Sequence, residues 1–200
     1  MEAADVSYTL EQVSLYGGGG KPPWFMKLNP KGQVPILVIN NNKDTNKIVL
    51  ADSDQILDEM GMVMAAATAI PTQSATSTTQ LVTDSDDDRV AAFRSILNEF
   101  LPIGKSAVLG GDKERMWSKL RELDALIDVN TIEGQSYIIA GDEPTVADCA
   151  GFPFLWRIDQ EFSSGSWENN GCQNIPVWLE FCKKQPAFAN SIQSSWWWWW

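Results

Sequence analysis

A proline at the head of the apolar run Val34-Pro35-Ile36-Leu37-Val38-Ile39 constrains this chain more than any other residue. Proline has no N–H and would cost a ladder hydrogen bond inside an ordinary central strand. The run therefore predicts a short strand of buried type over Val34–Ile39, with Pro35 cis at its start and the backbone before it turned toward a ligand. An ordinary edge strand is the plainer reading of the same two residues. Asn40 to Asn46, rich in Asn and Asp, predicts a turn. Lys47 to Ala51 predicts a second strand, so the pair forms a hairpin. Asp52-Ser53 follows where strand gives way to helix. It caps a helix beginning at Asp54, with Ile56, Leu57 and Met60 on one face.

Upstream, Tyr8 to Val13 alternates and carries β-formers, which predicts another strand. Gly17–Gly20 breaks structure and lacks the pattern of a phosphate loop. Trp24 to Leu28 predicts one helical turn, stopped by Asn29-Pro30. Downstream, residues 63–84 are mostly small, polar and without period, which reads as a linker between residues 1–62 and 85–200. The second part has helical periodicity throughout. Phe93, Ile96, Leu97, Phe100 and Leu101 fall on one stripe of Val90–Leu101, and Met116, Trp117, Leu120, Leu123 and Ile127 on another. Further helices are predicted over Val146–Ile158, over Pro176–Cys182 and just after Pro186.

Composition excludes several functions. The 200 residues contain no histidine, which removes Ser-His-Asp and Cys-His catalysis and any histidine-ligated metal. No metal site is expected. Formal net charge is −11 and no Lys/Arg cluster exceeds Lys183–Lys184, which argues against nucleic acid. Residues 1–62 carry five Lys against eight Asp/Glu, so the cations are richer there, which suits a small anionic ligand. Cys149, Cys172 and Cys182 form no CxxC pair, which predicts a reduced, cytoplasmic or other intracellular setting. No apolar run reaches membrane-spanning length. Thr145-Val-Ala-Asp148 is a capping box with Asp in the Glu position. The run Trp196–Trp200 has no assigned role.

Two stretches resemble the glutathione S-transferase family. The first is Lys21-Pro-Pro-Trp24-Phe-Met-Lys-Leu-Asn29-Pro30-Lys-Gly32-Gln33-Val34-Pro35-Ile-Leu37, followed by Ala51-Asp52-Ser53-Asp54-Gln55-Ile56-Leu57. The second is Gly141-Asp142-Glu143-Pro144-Thr145-Val146-Ala147-Asp148-Cys149-Ala150, with Pro153-Phe154 after it. A tail, Trp178-Leu-Glu-Phe and Gln185-Pro186-Ala187-Phe188, resembles the family's last helices. The resemblance implies a glutathione S-transferase fold: an α+β thioredoxin-like unit over residues 1–62, shortened at its start, and an all-α domain over 85–200. It implies glutathione as co-substrate, transferred to small electrophiles or used to reduce them, as in detoxification. Val34 would pair with the cysteinyl backbone. Asp52 and Ser53 would hold the γ-glutamyl end, at a helix N-terminus suited to a carboxylate. Lys21 and Gln33 would meet the glycyl carboxylate. The acceptor would lie between the two parts, lined by the helices at Val90 and Lys113. A homodimer is also implied. The other reading is a catalytically silent subunit of a larger assembly.

The family begins with a strand, a loop bearing the catalytic Ser, Cys or Tyr, and a first helix. Only Met1 to Asp5 precede the strand expected at Tyr8, and they resemble the end of that helix. No catalytic residue is assigned, and the enzyme reading needs one upstream of Met1. Tyr8–Val13 is expected to pair with Val34–Ile39 or with a strand of another polypeptide, because an ordered strand cannot leave its backbone groups open.

Overall fold

Pro22 and Pro23 begin the first helix because a proline fits the first helical turn, where its missing N–H costs nothing. This helix, α1 (Pro23–Leu28), buries Phe25 completely and ends at Asn29, whose N–H donates to the Phe25 carbonyl at 2.8 Å. The computed structural model describes residues 7–14, 20–40, 47–68, 84–127, 137–138, 144–162 and 165–192. The chain divides into two compact units, residues 3–71 and residues 72–200.

In the first unit, β1 (Leu37–Asn40) and β2 (Lys47–Leu50) form an antiparallel hairpin, Leu37 opposite Leu50 and Asn40 opposite Lys47. The Val34–Pro35 bond is cis, as expected from the sequence. Strand β1 starts two residues beyond the proline rather than at Val34, and Pro35 itself has no N–H to give a ladder. Next comes α2 (Ser53–Thr68), whose Met60 is buried and whose Ile56 and Leu57 are half-buried. It extends to Thr68, into the stretch 63–84 read as a linker; small residues such as Ala65 to Ala67 are good helix formers and continue it.

The expected strand at Tyr8–Val13 is not formed. Residues 7–14 carry no regular structure, and the sheet of the described residues holds only β1 and β2. Alternation suits a strand but does not make one: a strand exists only where a neighbouring backbone supplies the ladder.

The second unit is helical. Helix α3 (Asp84–Val108) runs through Pro102, α4 (Lys113–Asp124) starts at an Asp112 cap, and α5 (Val146–Glu161) follows Thr145. Short α6 (Ser166–Asn169), which sequence periodicity misses, is followed by α7 (Asn174–Lys184) and α8 (Pro186–Ala189). Of the two stripes, Phe93, Leu97, Phe100, Met116, Trp117, Leu120, Leu123 and Ile127 are buried, while Ile96 and Leu101 are half-buried. Pro102 does not stop α3, because it is exposed and the buried stripe on either side holds the helix against α4 and α5.

Two buried aspartates hold this unit together. Asp124 accepts from the backbone N–H groups of Gln173, Asn174 and Ile175, tying the end of α4 to the start of α7. Asp148, fully buried, accepts from the N–H groups of Ile138 and Thr145, the Thr145 hydroxyl and the Trp178 indole. The capping box is therefore present, with the hydroxyl also donating to the aspartate. Burial pushes the Asp148 carboxyl above its usual range, against the pull of its four donors. Residues 1–6, Gly17–Gly19, 41–46, most of the linker, Gly141–Glu143 and Trp196–Trp200 lie outside the described residues.

Candidate functional site

The loop from Asn29 to Pro35 is shaped by one buried side chain. Asn29 is 3% exposed. Its amide donates to the Gln33 carbonyl at 2.7 Å, its carboxamide oxygen accepts from the Lys31 N–H at 3.2 Å, and its own carbonyl accepts from Gly32 N–H at 2.9 Å. The turn closes at Gly32, whose φ of +66° favours glycine. A Cβ there would stand 2.8 Å from Lys21 Nζ and 3.0 Å from Lys21 Cδ, so the lysine side chain lies directly over the turn. The loop thus places a half-buried lysine against Gly32, next to an exposed Gln33 and a Val34 that is 46% exposed.

Asp52 and Ser53 follow the end of β2, at Leu50, which pairs with Leu37 at the start of β1 just beyond Pro35. Asp52 caps α2: its Oδ1 accepts from the N–H of Asp54 at 2.9 Å and of Gln55 at 3.3 Å. Ser53 opens the helix and both residues are exposed. A helix start carries unsatisfied N–H groups and a partial positive charge, so this end attracts a carboxylate, while the formal charge of Asp52 attracts an ammonium.

The structure thus brings the Lys21 side chain, from the residue ahead of the Pro22 cap of α1, against the turn that carries Gln33 and Val34, and holds Asp52 with Ser53 at one helix end. All five are at least partly open to solvent, as a binding surface requires. Asn29 and Gly32, which shape the loop, were missing from the site read in sequence; Asn29-Pro30 had been read only as a helix stop. A cavity of about 850 Å³ in the same unit is lined by residues 7–11 and 35–40 and by Val13, Trp24, Leu28, Ile56, Glu59 and Met60, and by none of the five. In the helical unit a cavity of about 390 Å³ lies between α3 and α5, among Phe100, Gly104, Val108, Phe154 and Ile158, with Lys105 and Arg157 on its wall. Arg157 is paired with Glu161.

The thiols make no site. Cys172 and Cys182 are buried and Cys149 is half-buried. Burial, then the charge of Asp148, pushes Cys149 up to about 11; burial and Asp124 push Cys172 up to about 12; burial and Asp148 raise Cys182 further. Among the described residues no group of His, Cys, Asp or Glu could hold a metal ion, and no helix is long and apolar enough to cross a membrane.

Residues 1–61 match the family model of the glutathione S-transferase N-terminal domain. The fold is shared with solved structures. A glutathione transferase family member from Pseudomonas fluorescens Pf-5, crystallised with two glutathione bound, is 17% identical at a TM-score of 0.60, over 94% of this chain and 83% of that one. A glutathione S-transferase from Actinobacillus pleuropneumoniae is 20% identical at 0.54, over 95% and 82%. A glutathione transferase from Burkholderia graminis, with two glutathione molecules bound per subunit, is 19% identical at 0.51, over 84% and 70%. No curated protein matches the sequence. The fold class is that of these proteins: a thioredoxin-like N-terminal domain with a small antiparallel sheet and a helical remainder.

Proposed function

We propose that this chain is a glutathione S-transferase family protein, a reading supported by the family match over residues 1–61 and by the shared fold, and that it binds glutathione across Lys21, Gln33, Val34, Asp52 and Ser53. The observation that carries the reading is that the family match spans residues 1–61, which include all five. Three chemical features of glutathione find counterparts. The γ-glutamyl carboxylate meets the start of α2 and the Ser53 hydroxyl, its ammonium meets Asp52, and the glycyl carboxylate meets Lys21 beside Gln33. The cysteinyl backbone pairs with the exposed backbone of Val34.

The reaction proposed is transfer of glutathione to a small electrophile. The sulfur attacks an electrophilic carbon, the S–C bond forms, and the leaving group departs with its electron pair while the thiol proton goes to solvent. The cavity between α3 and α5 suits an apolar acceptor, because its wall is mainly apolar. A homodimer is part of this reading.

A second reading, a silent glutathione-binding subunit, is favoured by one observation. All three thiols lie outside the first unit and are held as thiols, so a cysteine mechanism has no nucleophile among them. Steady-state assay with glutathione and an activated aryl halide separates the two. The enzyme reading expects turnover above the uncatalysed rate, with KM for glutathione raised about ten-fold in Lys21→Ala, the loss of one charge-assisted contact. Binding without turnover selects the silent subunit.

A further inference from the structure

We propose that Met26 is an oxidation site that governs Lys21: its sulfoxide takes the lysine ammonium and turns it away from an incoming carboxylate. The consequence for glutathione rests on the binding reading above, whereas the capture of the lysine does not.

The geometry comes from the start of α1 and the turn at Gly32. The Met26 N–H donates to the Pro22 carbonyl at 3.1 Å, which sets Met26 one helical turn beyond Pro22. Side chains on a helix lean toward its N-terminus, so that of Met26 leans back toward Lys21. A Cβ placed on Gly32 would stand 2.8 Å from Lys21 Nζ and 3.3 Å from Met26 Sδ. Two atoms close to one point are close to each other. The nitrogen and the sulfur therefore lie no further apart than the sum of these two distances. Lys21 is half-buried, and among the described residues no ion pair occupies its ammonium. Met26 is 36% exposed, whereas Met60 and Met116 are buried, so an oxidant in solution reaches Met26 ahead of those two.

The oxidant is hydrogen peroxide. The thioether sulfur attacks one peroxide oxygen, the O–O bond breaks and an S–O bond forms. The departing hydroxide takes the proton left on the new oxygen and becomes water. The sulfur is oxidised by two electrons and the peroxide reduced by two. A thioether is a weak acceptor and leaves the ammonium free. The sulfoxide oxygen is a strong, polar acceptor, and an N–H···O contact of about 2.8 Å together with the S–O bond spans much of the gap. The rotatable bonds of the methionine side chain supply the rest. The captured ammonium is then a poorer partner for the glycyl carboxylate of glutathione.

The test treats the 200-residue chain with hydrogen peroxide and maps oxidation by peptide mass spectrometry. Met26 should gain one oxygen while Met60 and Met116 stay thioethers. Lys21 is then read without ligand: its acetylation by a succinimidyl ester should slow about three-fold once Met26 is oxidised, because an ammonium held by an acceptor gives up its proton less readily. Calorimetric titration should show glutathione affinity about five-fold weaker in the oxidised wild type. Met26→Leu should keep its own affinity through the same treatment, although Met62, 62% exposed, is open to peroxide in both proteins. Lys21→Ala should lose nothing further on oxidation. Four results overturn the proposal: Met26 unoxidised in the folded protein; acetylation of Lys21 unchanged by oxidation; an equal loss of affinity in Met26→Leu, which places the sensitive group elsewhere; or a continued loss in Lys21→Ala, which makes a loosened turn the cause. If the untreated chain takes no glutathione, the binding reading falls alone, and the acetylation rate decides whether Met26 captures Lys21.

Discussion

Trp178 donates its indole N–H to Asp148 across 2.8 Å, linking α7 to the first turn of α5 inside the helical core. The same carboxylate takes the N–H groups of Ile138 and Thr145. A buried acceptor with this many donors cannot be removed without leaving them unmet. Asp148→Ala is expected to lower unfolding free energy by about 4 kcal/mol, and Trp178→Phe, which strands one lone pair and shrinks one ring, by about 2 kcal/mol. Urea denaturation followed by far-UV circular dichroism reads both; a midpoint unchanged in Asp148→Ala refutes the role.

Gly151 of α5 faces the ring of Phe93. A Cβ there would stand 2.9 Å from Cε1 and 3.0 Å from Cζ of that fully buried ring. Alanine would gain about 1 kcal/mol in helix propensity and lose about 1–3 kcal/mol to overpacking. The expected net effect of Gly151→Ala is a lower thermal midpoint, with the loss reduced when Phe93→Leu is added. A stabilised single variant contradicts this packing.

The folded chain shelters its thiols. Cys149 is raised to about 11, so at pH 8 roughly one molecule in a thousand carries its thiolate. Ellman's reagent at pH 8 should react slowly with the native protein and rapidly with all three cysteines in guanidinium. The sign for stability follows from the direction of the shift. The folded value lies above the unfolded 9.0, so the contribution is present below pH 9 and is lost as pH rises toward 11. A fast-reacting native thiol would restore a cysteine mechanism.

Much of this was legible in the sequence because periodicity and punctuation are local. Phe93, Leu97, Met116, Leu120 and Leu123 are buried where the 3.6-residue stripes put them, and Asp52 caps the helix that follows it. What failed depends on partners distant in sequence. Tyr8–Val13 has strand composition, yet composition cannot report whether a neighbour exists. Thr145 and Asp148 were readable as a cap, whereas the bonds from Ile138 and Trp178 join residues 10 and 30 positions away. Helix α3 runs past Leu101, the last residue of the stripe read in sequence, because burial on both sides of Pro102 outweighs a single missing donor. In the candidate site, five residues were named from the family resemblance. Asn29, which shapes their loop from 3% exposure, gave no signal beyond the pair Asn29-Pro30.

Gly32 tests the loop itself. Its φ of +66° strains any residue with a Cβ, and the Lys21 side chain lies where that Cβ would go. Gly32→Ala should cost about 1–2 kcal/mol and displace Lys21, weakening glutathione binding. Gly32→Asn should cost less, because asparagine tolerates that region better. Equal stability of all three proteins in urea would contradict the turn.

The most direct measurement is isothermal titration of glutathione into the wild-type chain and into Asp52→Asn. Asparagine caps a helix as well as aspartate does, so the substitution leaves α2 in place and removes only the charge assigned to the ammonium of glutathione. The account predicts saturable binding below millimolar concentration in the wild type and about ten-fold weaker binding in the variant, with unchanged urea midpoints. No heat at millimolar glutathione, or equal affinity in the two proteins, would contradict it.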